Sequence, residues 1–169
     1  MVQRLILVAV VFGAMLVEAR RAAANERAQL ARGGLEPAGD VYNVMRVAYP
    51  AAFVAMFVEG AWRGAAPLPA LIAGAAILLA AKALKWWAIV SLGRFWTFKV
   101  IVIPGARLVA AGPYRWLRHP NYIGVMGELA GVALMTGASV SGLAGIVTFG
   151  ALIVRRISTE ERALREATR

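Results

Sequence analysis

The chain has no cysteine and a single histidine, His119. The first absence excludes disulfides, thiolate nucleophiles and cysteine-ligated metals. The second excludes a zinc or iron site built on several imidazoles, so no metal is expected. Acids are scarce as well: 9 Asp and Glu stand against 19 Lys and Arg, and charged residues make up 17% of the chain. A Gly-x-Gly-x-x-Gly fingerprint following a strand is missing, which removes a dinucleotide-binding Rossmann domain from consideration. Internal repeats and low-complexity stretches are also lacking.

What is abundant is hydrocarbon. Hydrophobic residues reach 60% and the mean hydropathy is +0.66, more than a soluble domain of 169 residues needs. The expected fold is an all-α integral membrane protein of about five transmembrane helices. The apolar runs are Leu5 to Val17, Val44 to Val58, Pro67 to Val90, Ile123 to Met135 and Val140 to Val154. Several are only ~15–17 residues long, short of the ~20 that a bilayer core requires, so tilt or polar extensions must supply the rest. The first run is followed at once by Glu18, Arg20 and Arg21, which does not suit a signal-peptide cleavage site and fits a helix extending to about Arg32. Gly33-Gly34 and the Glu36–Asp40 turn then separate it from the second run. Lys82 and Lys85, beside Trp86-Trp87, read as snorkelling interfacial anchors. Only Thr136 to Ser139 separate the last two runs, which makes those runs an antiparallel hairpin. The chain thus divides into 1–92, with about three spans, and 93–169, with a connecting segment, the hairpin and a polar tail.

The charges are distributed by side. Seventeen Lys and Arg residues fall between spans one and two, from Lys82 to Arg118, or from Arg155 onward, whereas Arg4 and Arg63 fall on the other side. The positive-inside rule then places the N-terminus outside and the C-terminus in the cytoplasm of a multi-pass, bacterial-type cytoplasmic membrane protein. Orientation and contact with membrane lipids account for the basicity, and no nucleic acid is required. Segment 93–122 and Glu160-Glu161 fall on the same cytoplasmic side. The hairpin runs out and back, so it should bring His119 close to Glu160.

The dense polar stretch is Gly112-Pro113-Tyr114-Arg115-Trp116-Leu117-Arg118-His119-Pro120-Asn121-Tyr122-Ile123-Gly124, answered later by Arg156-Ile157-Ser158-Thr159-Glu160-Glu161-Arg162-Ala163-Leu164. In order and spacing these resemble the isoprenylcysteine carboxyl methyltransferase family, and more broadly the membrane phospholipid methyltransferases. The likeness covers about 93–164, and the Glu18–Arg32 extension looks like that of bacterial members. It implies S-adenosyl-L-methionine as methyl donor. By position, His119, Pro120, Tyr122, Tyr114, Glu160 and Glu161 would form the cofactor site, with Gly112 and Gly124 shaping the backbone. Arg118 would anchor the cofactor carboxylate or orient an acidic acceptor.

These residue types suit that chemistry. Carboxylates hold an ammonium or ribose hydroxyls, a guanidinium pairs with a carboxylate, and the faces of Tyr122 or Trp116 attract a sulfonium. A carboxylate acceptor needs no base, whereas a hydroxyl acceptor gains from one, for which Glu128 or His119 is available. Glu128, an acid inside an apolar run, is either catalytic or bonded structurally, with Ser141 or Thr148 as candidate partners. Gly127-x-x-x-Gly131 suggests close helix packing. Two features depart from the family: Glu128 stands where carboxyl methyltransferases commonly carry Trp or another apolar residue, and the chain stops at Arg169, before the usual Phe-Gly-x-x-Tyr segment. Both bear on the acceptor more than on the donor. The implied activity is methyl transfer to the carboxylate or hydroxyl of a lipophilic acceptor entering from the bilayer. An NADPH-dependent sterol-reductase-like enzyme, which shares an Arg-His-Pro-x-Tyr stretch, and a small transporter are the alternatives.

Overall fold

The fold is given by a computed structural model that describes residues 2–106 and 109–167. The described residues form five α-helices: α1 (Val2–Leu30), α2 (Tyr42–Arg63), α3 (Leu68–Leu92), α4 (Pro120–Thr136) and α5 (Ser139–Ala167). Between α3 and α4 lie single 3₁₀ turns at Gly93–Phe95 and Gly112–Arg115. An isolated antiparallel bridge joins Leu35 to Val102. The protein is an all-α integral membrane protein, and α1, α2, α3 and α5 are each long and apolar enough to cross a bilayer. At 17 residues α4 is shorter, about 25 Å at 1.5 Å per residue, and one of its faces is buried against the other helices.

Local chemistry sets the ends. Pro120 opens α4, where its missing N–H is no loss, and Gly137 closes it in the left-handed region at φ 69°, donating to Ala133 O and Leu134 O. α2 runs on past Val58, the end of the expected apolar run, to Arg63, before Gly64 turns the chain at φ 93°. The polar tail expected after Val154 is helical and continuous with the last span, so α5 is one rod.

The core joins both parts of the chain, with Phe53 and Met56 packed in one cluster with Leu129, Val132 and Phe149. α3 and α4 make the closest pairing, and they do so antiparallel. A Cβ at Gly131 would sit 2.8 Å from Gly74 O, and one at Gly124 would sit 2.9 Å from Lys85 Cβ, so backbones approach where side chains are absent. The expected packing role of Gly127 holds too, against Ala81.

All five helices run between two faces. At one, Glu59 accepts from the N–H groups of Val140 (3.1 Å) and Ser141 (2.6 Å), and Arg4 donates to Gly64 O. At the other lie the end of α1, the start of α2, the end of α3, the start of α4 and the polar end of α5. Among the described Lys and Arg residues, only Arg4 and Arg63 belong to the first face. Arg107 and Arg169, counted with the basic side, lie outside the described residues.

Candidate functional site

The polar extension of α1 shapes the site from outside the hairpin. Asn25 Nδ2 donates to Gly93 O (3.0 Å) and Trp96 O (2.8 Å), and Gln29 Nε2 donates to Arg94 O (3.0 Å). Lys99 lies between Glu26 (2.7 Å) and Glu36 (3.0 Å), and its ammonium pKa is pushed up, first by Glu26 and then by Glu36. These bonds pin the connecting segment across the helix ends. Beneath it opens a cavity of about 720 Å³, within the size range of small-molecule sites.

Two kinds of wall meet there. One is apolar, with Leu92, Phe95, Val100, Ile103, Val109 and Leu117. The other is polar and is made by the hairpin. His119 Nδ1 lies 3.9 Å from Glu160 Oε2, and His119 Nε2 lies 3.5 Å from Glu161 Oε1, although the histidine precedes the acids by some 40 positions. The imidazole stacks on Tyr122 at a centroid separation of 5.5 Å. Tyr122 Oη donates to Glu160 Oε2 (2.9 Å) and accepts from Arg156 Nε (2.9 Å). Arg156 Nη1 pairs with Asp40 at 2.9 Å, and Nη2 donates to Phe98 O. Trp96 Nε1 donates to Asn121 Oδ1 at 3.3 Å. Tyr114 lines the same cavity, its phenol pKa raised by burial and then by Glu160.

The candidate residues therefore divide. Tyr114, Arg118, His119, Tyr122, Glu160 and Glu161 all line the cavity. Pro120 is buried directly behind, where it starts α4. Arg118 reaches solvent at the rim, 86% exposed, and approaches Glu161 at 3.6 Å. Gly112 adopts φ 57° with its Cα against Ser91 and Trp87, so it shapes the backbone. Trp116 stands 70% exposed beside Trp87, outside the cavity lining.

Glu128 is not among the lining residues. It is 1% exposed and lies in a buried cluster contributed by four helices. Lys82 Nζ approaches Glu128 Oε1 at 3.0 Å and Glu18 Oε1 at 3.4 Å, and Lys85 Nζ approaches Glu128 Oε1 at 3.3 Å and Glu18 Oε2 at 2.7 Å. Tyr49 donates its hydroxyl to Glu128. The two lysines are thus not the snorkelling anchors expected. They point inward because they share a face of α3 with the buried Leu78, Ala81 and Ile89. The candidate partners Ser141 and Thr148 are corrected as well, since Ser141 bonds Glu59 instead.

A family model described as "Isoprenylcysteine carboxyl methyltransferase (ICMT) family" matches residues 74–166, more than half of the chain. The chain belongs to the isoprenylcysteine carboxyl methyltransferase family. Its place there makes it a membrane methyltransferase by kinship, in a family whose members generally use S-adenosylmethionine. The match begins in the first third of α3 and takes in every cavity residue named from the sequence. Similar proteins include the uncharacterized protein YpbQ of Bacillus subtilis (strain 168), 29% identical over 95% of this chain and 96% of that one. An uncharacterized protein of Haemophilus influenzae is 26% identical over 83% of this chain and 82% of its own. No solved structure matches the chain.

Sequence reasoning missed Asp40, Glu18 and Tyr49. Asp40 had read as a turn residue. Glu18 and Glu128 together carried a usable signal, since two acids in apolar helices call for two cations in a third.

Proposed function

We propose that the protein transfers the methyl group of S-adenosylmethionine to the carboxylate or hydroxyl of a lipophilic acceptor that enters from the bilayer, at the cytoplasmic face. The observation that carries this reading is the union, in one cavity, of an apolar wall with His119, Tyr122, Glu160 and Glu161.

The residues present fit the cofactor. Among the described residues, the buried Nε2 of His119 has no hydrogen-bond partner, which leaves it to meet a bound group. Glu160 and Glu161 are each about one-third exposed and supply the acceptors that an ammonium or ribose hydroxyls need. Arg118, exposed at the rim, suits a carboxylate. Bound there, the cofactor supplies an electrophilic methyl on a sulfonium. The chain's part is to hold donor and acceptor in line and to exclude water, the kind of positioning that yields large effective concentrations. A carboxylate acceptor reacts as it arrives. For a hydroxyl acceptor, His119 is the side chain placed to take the proton, because Glu128 lies outside the cavity and is bonded to two lysines and a tyrosine. The basic end of the molecule, read with the positive-inside rule, supports a cytoplasmic site.

The test is calorimetric titration of detergent-purified protein with S-adenosylmethionine and S-adenosylhomocysteine. Micromolar binding is expected in the wild type and none in His119→Ala or Glu160→Ala/Glu161→Ala. A folded protein that binds neither compound but binds NADPH overturns the reading in favour of a reductase.

A further inference from the structure

Asp40 lies in the α1–α2 linker, outside the stretch that matches the family model, yet it holds three elements of the site at once. Its Oδ1 accepts from Tyr42 N–H (3.0 Å) and from Arg156 Nη1 (2.9 Å), and its Oδ2 accepts from Val100 N–H (2.9 Å). It thereby ties the start of α2, the connecting segment that roofs the cavity, and α5. Both members of the ion pair are largely buried, with Arg156 at 6% and Asp40 at 14% side-chain exposure.

The consequence for the cavity follows from donor and acceptor counting. A guanidinium has donors only, so the Arg156 Nε–H bond must end on a lone pair of Tyr122 Oη. The phenol has one proton, and with its oxygen occupied by Arg156 that proton is directed to Glu160 Oε2, 2.9 Å away. The chain of bonds runs Asp40, Arg156, Tyr122, Glu160, and its polarity is fixed at the Asp40 end. Without Asp40, Arg156 is left as a buried cation without its anion. Four positions further along α5 stands another carboxylate of the same cavity wall, Glu160 itself.

We propose that Asp40 is a positioning residue for the cofactor: it keeps Arg156 engaged, so that Glu160 is held by Tyr122 in place of Arg156 and keeps an oxygen available to the bound group. The inference rests on the proposed cofactor role of Glu160. Removal of Asp40 would let Arg156 collapse onto Glu160 and neutralise it from within the site.

The experiment is a double-mutant cycle read by calorimetric binding of S-adenosylhomocysteine, with the unfolding midpoint of each variant measured beside it. Asp40→Ala is expected to weaken binding by about tenfold or more, the scale of a lost charge-assisted contact. In a Glu160→Gln background the same substitution is expected to cost nothing further. Asp40→Asn, which keeps an acceptor but not the charge, should fall between. If Asp40→Ala does not fold, Asp40→Asn takes its place in the cycle. Binding unchanged by the Asp40 substitution overturns the proposal, as does a loss that simply adds to that of Glu160→Gln, which would mark a general structural effect. Wild-type protein that binds no S-adenosylhomocysteine overturns the methyltransferase reading and this inference with it, whereas wild-type binding that is indifferent to Asp40 overturns the inference alone.

Discussion

Glu128 shows how a residue's company decides its use. As an acid in an apolar helix it invited a catalytic role, but it is enclosed by Lys82, Lys85 and Tyr49 and does not reach the cavity. Its loss should therefore act on stability first. Glu128→Ala leaves two lysines facing Glu18 alone and is expected to lower unfolding free energy by about 3 kcal/mol or more, the usual scale for breaking a buried pair. Glu128→Gln, which keeps the shape and an acceptor for Tyr49, should retain cofactor affinity within about threefold, since the amide touches no cavity group. Thermal unfolding in detergent and calorimetry check the two outcomes. A Glu128→Gln protein that folds and binds cofactor normally yet turns over no hydroxyl acceptor would return Glu128 to the chemistry. The pair Glu18→Ala and Lys85→Met should also be strongly non-additive in unfolding free energy, because their charged atoms lie 2.7 Å apart.

Among the elements, the hairpin and the connecting segment carry the site, and they were not equally legible. The hairpin could be read because Thr136–Ser139 leaves no length for anything but an antiparallel return, which brings His119 to Glu160. Pro120 at the start of α4 and the glycine face at Gly127 and Gly131 were likewise written in residue types with narrow geometric meaning. The inward turn of Lys82 and Lys85 was not, because a lysine beside tryptophans looks the same in sequence whether it snorkels outward or pairs inward. Asp40 was illegible for another reason: beyond the local Tyr42 N–H, its partners lie 60 and 116 positions away, on elements whose juxtaposition no local pattern specifies. The connecting segment yields two predictions. A Cβ at Gly112 would collide with Ser91 Oγ and lie 2.8 Å from Ser91 Cβ, at a φ that disfavours side chains. Gly112→Ala should thus weaken S-adenosylhomocysteine binding, and adding Ser91→Gly should restore most of it, leaving a backbone strain of about 1 kcal/mol. Lys99 gives the segment a pH signature. Its pKa is raised by Glu26 and Glu36, so the stabilisation it contributes is complete below the ordinary lysine value of ~10.4 and is lost as pH rises through the higher folded value. Lys99→Met should abolish that alkaline component of the unfolding profile and leave the neutral range unchanged in shape.

For the whole molecule, the segregation of charge to one end makes orientation testable, and the lack of cysteine makes the test clean. Ala65 in the α2–α3 loop and Ser158 on the polar end of α5 are both exposed at opposite faces. A membrane-impermeant thiol reagent should label Ala65→Cys in intact cells and Ser158→Cys only after the membrane is opened. The reverse pattern would put the cavity outside.

The buried cluster also has a history, set by the order in which the chain is made. Glu18 enters first, 64 residues before Lys82 exists to meet it. Once α3 has arrived, two lysines face one carboxylate, and the half-built bundle holds a formal excess of one positive charge. The acid that cancels it sits on α4, the 17-residue helix whose own hydrocarbon length is least suited to crossing a bilayer. Its length alone makes α4 the weakest candidate to span, and Lys82 and Lys85 give its Glu128 a partner on arrival. Docking of α4 balances the charges of the cluster, and the same helix carries His119 at its start.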